Sequence, residues 1–149
     1  MRMLCIMGHA HDAEINVFTH LTPASIRPPF AKYSHGVEIP EGMRLVLCSG
    51  QLGIGPDDAI PADTGAQARL CFASIEAILE EAGLGLSDIV RINAYVTGRE
   101  HLKPYMAVRD ELFAEPAPAS TLMIVSGFAR EEFTVEIEAV AAGPARKER

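Results

Sequence analysis

Apolar and polar positions alternate in several short segments of the chain and follow a helical period in two longer ones. Strands are predicted where apolar residues alternate or cluster, at 15–20, 33–39, 43–50, 88–97, 121–128 and 133–142. Helices are predicted at 65–82 and 101–113, where apolar residues recur every three or four positions. The order of these elements is strands, helix, strand, helix, strands. This order predicts an α+β domain, with two helices packed on one face of a mixed sheet.

The two predicted helices have recognisable ends and apolar sides. Thr64 and Gln67 have the spacing of a capping box, and Gly83 follows the last apolar position of the first helix. Pro104 is compatible with the second helix only in its first turn. The first helix is expected to bury Cys71, Ile75, Ile78 and Ala82, with Phe72 and Leu79 beside them. The second carries Leu102, Met106, Arg109 and Phe113 along one side.

The segment at 88–97 predicts a sheet with one buried face and one partly apolar, uncovered face. One face carries Val90, Ile92, Ala94 and Val96, and the other carries Ile89, Arg91, Asn93 and Tyr95. Two helices cannot cover both faces of the sheet. The uncovered face is therefore expected to meet another subunit.

Composition favours a single domain in a reducing compartment. The 149 residues, of which 48% are hydrophobic, are enough for one core without metals or disulfides. Cys5, Cys48 and Cys71 are widely spaced and form no CxxC pair, which argues against a zinc or redox site. Cys48, in an apolar strand, and Cys71, on a helix, are expected to be buried thiols. The opening segment is too short and polar for a signal peptide, and no apolar run reaches the length of a membrane span. A cytoplasmic protein without membrane contact is expected.

Charge and histidine spacing argue against two classes of function. The net charge is −7, and an acidic protein repels the phosphate backbone, so no nucleic-acid partner is expected. The five histidines do not have metal-ligand spacing, so no metal site is expected either. They are His9, His11, His20, His35 and His101.

Candidate chemistry is concentrated in two short segments, and each has two interpretations. Glu136 and Glu138 alternate with apolar residues and share one strand face. This face is either exposed to solvent, or it lies in a cleft where one carboxylate orients a water. Gly50 follows an apolar strand, either as part of a turn or as backbone exposed to a ligand. No Ser-His-Asp pattern or nucleophile elbow is present.

Six segments, taken in chain order, resemble the RidA family, also called YjgF, the reactive intermediate deaminases. They are KYSHGV at 32–37, LCSGQLGI at 47–54, the helix from 67 running to EEAGLGLSDIVRINAYVT, YMAVRDELF, PASTLMIV at 118–125 and VEIEAVAA at 135–142. The resemblance spans about residues 26–142. Residues 1–25 are then an N-terminal extension with a possible first strand, and 143–149 a charged tail.

The resemblance implies a chorismate-mutase-like fold, a homotrimer and a small-molecule ligand in clefts between subunits, without metal or organic cofactor. In the family's deaminases, an arginine grips the carboxylate of an imino or enamino acid, while a glutamate and backbone groups place the water that releases ammonia. Positioning and one carboxylate suffice for such chemistry because a protonated imine is already electrophilic. By position, Glu136 matches the water-positioning glutamate, and Tyr33, Gly50 and Tyr95 match residues that line the cleft.

The family's arginine is absent from this chain. Its place falls on Ser120, or on Ala119 after a one-residue shift, with Thr121 beside it at the cleft edge. A serine cannot form the bidentate pair that an arginine makes with a carboxylate. Lys32 and Arg27 lie on the loop that leads to the predicted cleft. Either could bind the substrate carboxylate in place of the missing arginine.

Two hypotheses from different classes follow. The first is an enzyme that hydrolyses a small imine, an enamine or a related compound with an altered carboxylate site. The second is a non-catalytic, ligand-binding or chaperone-like trimer. The family's older name, endoribonuclease L-PSP, fits poorly with the acidic charge of this chain.

Overall fold

A four-stranded mixed sheet with two helices on one face forms the body of the protein, as the sequence predicted. The structure, a computed structural model, describes residues 17–146. Its main elements are β1 (Thr19–Leu21), β2 (Gly36–Glu38), β3 (Arg44–Leu52), α1 (Thr64–Glu81), β4 (Ile89–Val96), α2 (Leu102–Leu112), β5 (Ala119–Ile124) and β6 (Val135–Gly143). The sheet has the order β3-β6-β4-β5, and only β4 and β5 run parallel. The strands β1 and β2 form a separate antiparallel pair.

The core lies between the sheet and the two helices. On β4, Ile92, Ala94 and Val96 are fully buried on the helix-facing side, which confirms the predicted face of this strand. The ring of Phe72 on α1 lies 5.3 Å from that of Phe113, just after α2. The Phe72 ring also stacks on that of Tyr105 of α2 at 6.4 Å. Large side chains of both helices thus meet in the core, and their removal from water is the main source of stability.

The start of α1 differs from the predicted capping box. The N-cap is Asp63, whose Oδ2 accepts a hydrogen bond from Ala66 N at 2.8 Å. Thr64 is instead the first helical residue, and Gln67 is fully buried. The buried side of α1 also differs from the prediction. Leu79, which was placed beside the buried residues, is fully buried, whereas Ile78, which was placed among them, is 36% exposed.

Several predicted strands have different bounds in the structure, and the segment predicted at 33–39 is a strand only over Gly36–Glu38. Of the segment at 15–20, positions 15 and 16 lie outside the described residues, and the strand begins at Thr19. The segment predicted at 121–128 begins earlier, at Ala119, and ends at Ile124. Pairing with the buried strand β4 fixes these limits, since Ala119 faces Arg91 and Ile124 faces Val96.

The sheet face opposite the helices, here called the outer face, carries exposed apolar residues. Leu45, Leu47 and Met123 are 53%, 73% and 49% exposed. Ile89 was expected on this face, but it is only 4% exposed because the pairing of β4 shifts just after it. Within residues 17–146, no helix is both long and apolar enough to cross a bilayer.

Candidate functional site

A register shift in β3 brings its backbone against a carboxylate of β6. The pairing of the two strands shifts by one residue between Cys48 and Gln51. Such a bulge bends a strand and re-aims its groups. Gly50 lies inside the shift, and a Cβ at this position would overlap the Oε1 atom of Glu136. The close approach of carboxylate and backbone therefore requires glycine at position 50.

The bulge is tied to α1 by a buried thiol. Cys71 Sγ donates a hydrogen bond to the carbonyl oxygen of Gln51 at 3.2 Å. Burial, and secondarily the Glu136 carboxylate, raise the pKa of the Cys71 thiol to about 12. A thiol with this pKa stays protonated near neutral pH, so Cys71 holds the bulge and does not act as a nucleophile.

The two glutamates of β6 have different surroundings. Glu138 Oε1 accepts hydrogen bonds from Tyr95 OH at 2.7 Å and Asn93 Nδ2 at 3.2 Å. The bond to Glu138, together with burial, raises the pKa of Tyr95. Within residues 17–146, no hydrogen-bond donor contacts the Glu136 carboxylate, which is half-buried. Glu136 is thus the carboxylate of this pair with free capacity for water.

Tyr33 lies at the other end of β4 from Glu136 within one chain. Its neighbour Ser34 forms a parallel bridge with Ala119 and donates its hydroxyl to the Ala117 carbonyl at 2.6 Å. On β4, the partner of Ala119 is four residues from the partner of Glu136, which is about 13 Å at the rise of a strand. One chain therefore does not bring Tyr33 and Glu136 together.

Ser120 and Thr121 point to opposite faces of β5. Thr121 Oγ1 accepts a hydrogen bond from Arg91 Nη2 at 2.8 Å on the outer face. Ser120 is in register with the buried Ile92, so its side chain faces the helices. Ser120 and Thr121, which were predicted together at the cleft edge, thus lie on opposite faces of the sheet. Of the two, only Thr121 is on the face of Glu136.

The two cations considered as substitutes for the arginine are engaged elsewhere. Lys32 Nζ donates to the Asp110 carbonyl at 3.3 Å. The guanidinium of Arg27 lies 3.8 Å from the centre of the Phe30 ring on the exposed loop. Neither cation is a partner of the buried Ser120 Oγ, which lies beside the Tyr105 hydroxyl.

The second helix contains a buried arginine that the sequence reasoning did not consider further. Arg109 was grouped with apolar residues along one side of this helix, and it is only 4% exposed. Its guanidinium carbon lies 5.8 Å from the ring centre of Tyr105, one helical turn away. An arginine among apolar positions of a helix was the available signal, because arginine is almost never fully buried without a partner.

From 17 to 146, no group of three or more His, Cys, Asp or Glu side chains could hold a metal ion. The groups around Glu136 are the Glu138 carboxylate, the Tyr95 phenol, the Asn93 amide and the backbone at Gly50. Together they can bind, orient and deprotonate a water molecule beside an electrophile.

Comparisons with known proteins identify relatives over most of the chain. The family model described as Endoribonuclease L-PSP matches residues 24–143. The 2-iminobutanoate/2-iminopropanoate deaminase of Escherichia coli K12 is 31% identical over 129 residues, which cover 84% of this chain and 94% of that protein. A RutC family protein of Pyrococcus abyssi is 29% identical over 127 residues, with coverage of 84% and 94%.

Solved structures share the fold over a similar length. A conserved Rid family protein, YyfB from Yersinia pestis, matches with a TM-score of 0.73 and 27% identity, over 83% of this chain and 97% of that chain. RidA from the Antarctic bacterium Psychrobacter sp. PAMC 21119 matches with a TM-score of 0.62 and 28% identity, over 83% and 98%. With a family model across most of its length and a relative above 30% identity, the chain belongs to the RidA/YjgF family.

Proposed function

We propose that this protein hydrolyses a small imine or enamine to a carbonyl compound and ammonia, using Glu136 and the backbone at Gly50. The observation that carries the proposal is the Glu136 carboxylate, half-buried against the glycine backbone and without a hydrogen-bond donor among residues 17–146. The resemblance to a deaminase of imino acids supports the choice of reaction.

The reaction needs one base and a positioned water. Glu136 accepts a proton as the water oxygen attacks the carbon of the protonated imine, which gives a tetrahedral amino alcohol. Glu136 returns this proton to the nitrogen and then accepts the hydroxyl proton as the carbon–oxygen double bond forms. The carbon–nitrogen bond breaks, ammonia leaves with its electron pair, and it takes up the remaining proton, so that the products are the carbonyl compound and ammonium. A positioned general base contributes roughly 10²–10⁴-fold to such a step.

We further propose that the working unit is a homotrimer with the ligand in a cleft between subunits. Exposed leucines and a methionine on the outer face support burial of this face by other copies of the chain. A second subunit would also supply a Tyr33 to the vicinity of Glu136, which the 13 Å separation along β4 prevents within one chain. The site is thus incomplete in a monomer.

Two substitutions test the reaction directly. Glu136→Gln keeps the shape of the side chain but removes the base, and Gly50→Ala displaces the carboxylate by steric overlap. The assay is ammonia release from 2-iminopropanoate generated in place by an amino acid oxidase. We expect both variants to lose about 100-fold or more in rate relative to the unmodified protein.

A matched control separates the base from a general change in charge. Glu76→Gln removes an exposed carboxylate of α1 and is expected to leave the rate unchanged. If the unmodified protein accelerates hydrolysis of none of a panel of small imines and enamines, the deaminase proposal fails. That result would favour the alternative of a ligand-binding trimer without catalysis.

A further inference from the structure

Tyr95 lies directly opposite Glu136 in the sheet, but its hydroxyl donates to a different carboxylate. Tyr95 on β4 is the register partner of Glu136 on β6. Its hydroxyl nevertheless donates to Glu138 Oε1 at 2.7 Å, two residues further along β6. Side chains directly opposite one another have Cβ atoms about 4.5–5.5 Å apart, which is closer than such a diagonal pair. The phenol therefore passes over the carboxylate that is nearer in register.

Glu138 is itself held in place for this contact. Its Oε1 also accepts a hydrogen bond at 3.2 Å from Nδ2 of Asn93, which is its own register partner. One oxygen of Glu138 thus receives one donor from directly opposite and a second from the diagonal position. A polar network whose members are paired restricts its side chains, so Glu138 is a fixed acceptor for the Tyr95 phenol.

The charges that act on Tyr95 are those of two carboxylates on β6 and one arginine on β4. The hydrogen bond to Glu138, then burial and the charges of Glu138 and Glu136, raise the pKa of Tyr95, whereas Arg91 lowers it. The guanidinium of Arg91 donates to a threonine of β5. From β5, the register partner of Tyr95 is the apolar Met123. The charged acceptors near the phenol proton are therefore Glu138 and Glu136.

A phenol has one proton to donate, so the choice between the two carboxylates matters for Glu136. A carboxylate that accepts a hydrogen bond is a weaker base, because the bond stabilises its charged form. A phenol bound to Glu136 would therefore reduce the ability of this carboxylate to take a proton from water. The hydrogen bond from Tyr95 to Glu138 removes this competitor.

We propose that Glu138 is a positioning residue that acts through Tyr95: by holding the phenol proton, it keeps Glu136 free to act as the base. Glu138 does not touch the reacting atoms in this scheme. The inference rests on the proposed function, because it assigns a role at the site of Glu136. It also accounts for the different surroundings of two glutamates that share one strand face.

A double-mutant cycle tests this role by the rate of ammonia release from 2-iminopropanoate. Glu138→Leu removes the acceptor and frees the phenol to donate to Glu136, so we expect kcat to fall about threefold to tenfold. In a Tyr95→Phe background the same Glu138→Leu change is expected to alter kcat less than about twofold, because no phenol proton is released. Glu138→Gln is the conservative variant. It keeps a carbonyl acceptor for the phenol and is expected to restore kcat to within about twofold of the unmodified protein.

A titration of Tyr95 tests the same step without turnover. The probe is the NMR signal of the ring carbon Cζ in protein labelled at its three tyrosines, assigned by its loss in Tyr95→Phe. In Glu138→Leu we expect the pKa of Tyr95 to stay above the ordinary value of about 10, because the phenol then donates to Glu136. The pKa is expected to fall to about 10 only when Glu136→Ala is added to Glu138→Leu.

The outcomes separate this inference from the proposed function. An equal loss of kcat for Glu138→Leu in both backgrounds would overturn it, as would a loss in Glu138→Gln as large as in Glu138→Leu. A Tyr95 pKa of about 10 in Glu138→Leu alone would also overturn it, since the phenol would not have moved to Glu136. A protein that hydrolyses no imine but shows this transfer of the phenol loses only the deaminase proposal. Glu138 then remains the group that holds the phenol away from Glu136.

Discussion

The buried amide of Gln67 should be one of the most sensitive positions for stability. Gln67 is fully buried, and its Nε2 donates to the carbonyls of Pro61 and Glu132, both at 2.8 Å. Its Oε1 accepts from Thr134 N at 3.0 Å. One side chain of α1 therefore ties the loop before this helix to the segment that leads into β6. We choose Gln67→Leu as the perturbation because leucine has a similar volume and no polar atoms.

The expected cost follows from the groups that lose a partner. Three backbone groups, two carbonyls and one N–H, are left without their hydrogen bonds. An unpaired buried group costs about 1–3 kcal/mol, but water reaches the partly exposed loop, and leucine gains apolar burial. We therefore expect the free energy of unfolding to fall by about 3 kcal/mol. For a domain of this size, the corresponding fall in Tm is about 6–12 °C.

The assay is thermal unfolding followed by circular dichroism at one fixed protein concentration, since assembly would make Tm depend on concentration. Gln51→Leu is the matched control: the Gln51 amide donates to the nearby Ser49 carbonyl at an exposed position, and its loss should cost about 0.5 kcal/mol or less. A Tm for Gln67→Leu within 2 °C of that of the control would refute the argument.

Three further predictions concern assembly, capping and the thiols. Leu47→Glu, at the most exposed leucine of the outer face, is expected to convert a trimer to monomers in light scattering while circular dichroism is retained. Asp63→Ala should lower the free energy of unfolding in urea by about 1 kcal/mol, because it removes the cap of α1; an unchanged midpoint would contradict the assigned cap. Burial raises the pKa of Cys48 and Cys71, so in a Cys5→Ser variant no thiol should react with Ellman's reagent at pH 8 before urea is added. The same shifts should make the protein less stable above pH 9, since the unfolded thiols release protons there and the folded ones do not.

The sheet and its faces could be predicted because the governing pattern is local. Along β4 and β6 the side chains alternate with a period of two, so the buried face followed from sequence alone. Ile92, Ala94 and Val96 turned inward as expected, with Glu136 and Glu138 on the other face. Burial of alternate apolar residues outweighs other preferences in a half-buried strand, which is why this part of the prediction was confirmed.

The cap of α1 was wrongly predicted because distant partners decide it. Asp63 and Thr64 are adjacent and both can cap a helix. The Thr64 hydroxyl contacts His101 Nδ1 at 2.6 Å and Thr134 Oγ1 at 2.8 Å, which are 37 and 70 residues away. Those tertiary contacts occupy Thr64 and leave the cap to Asp63. No local pattern contains this information.

Only part of the candidate site could be predicted from the sequence, because the rest depends on contacts between distant residues. Glu136 and Gly50 could be singled out as residue types, but their contact depends on the one-residue shift in β3, which the glycines of SGQLGIG do not specify. Arg109 was grouped with apolar residues of its helix, and it is buried. The position of Ser120 beside Tyr105 could not be predicted, because β5 reaches α2 only through the pairing of the sheet.

The overlap between a side chain at position 50 and the Glu136 carboxylate has an evolutionary consequence. A mutation that adds even a methyl group at Gly50 displaces the carboxylate, so the two positions cannot drift independently while the carboxylate is under selection. A lineage that has exchanged Glu136 for a smaller residue is free to accept alanine or serine at position 50. The pair should therefore change together among descendants of a common ancestor, and a retained glycine would mark the lineages that still need the carboxylate.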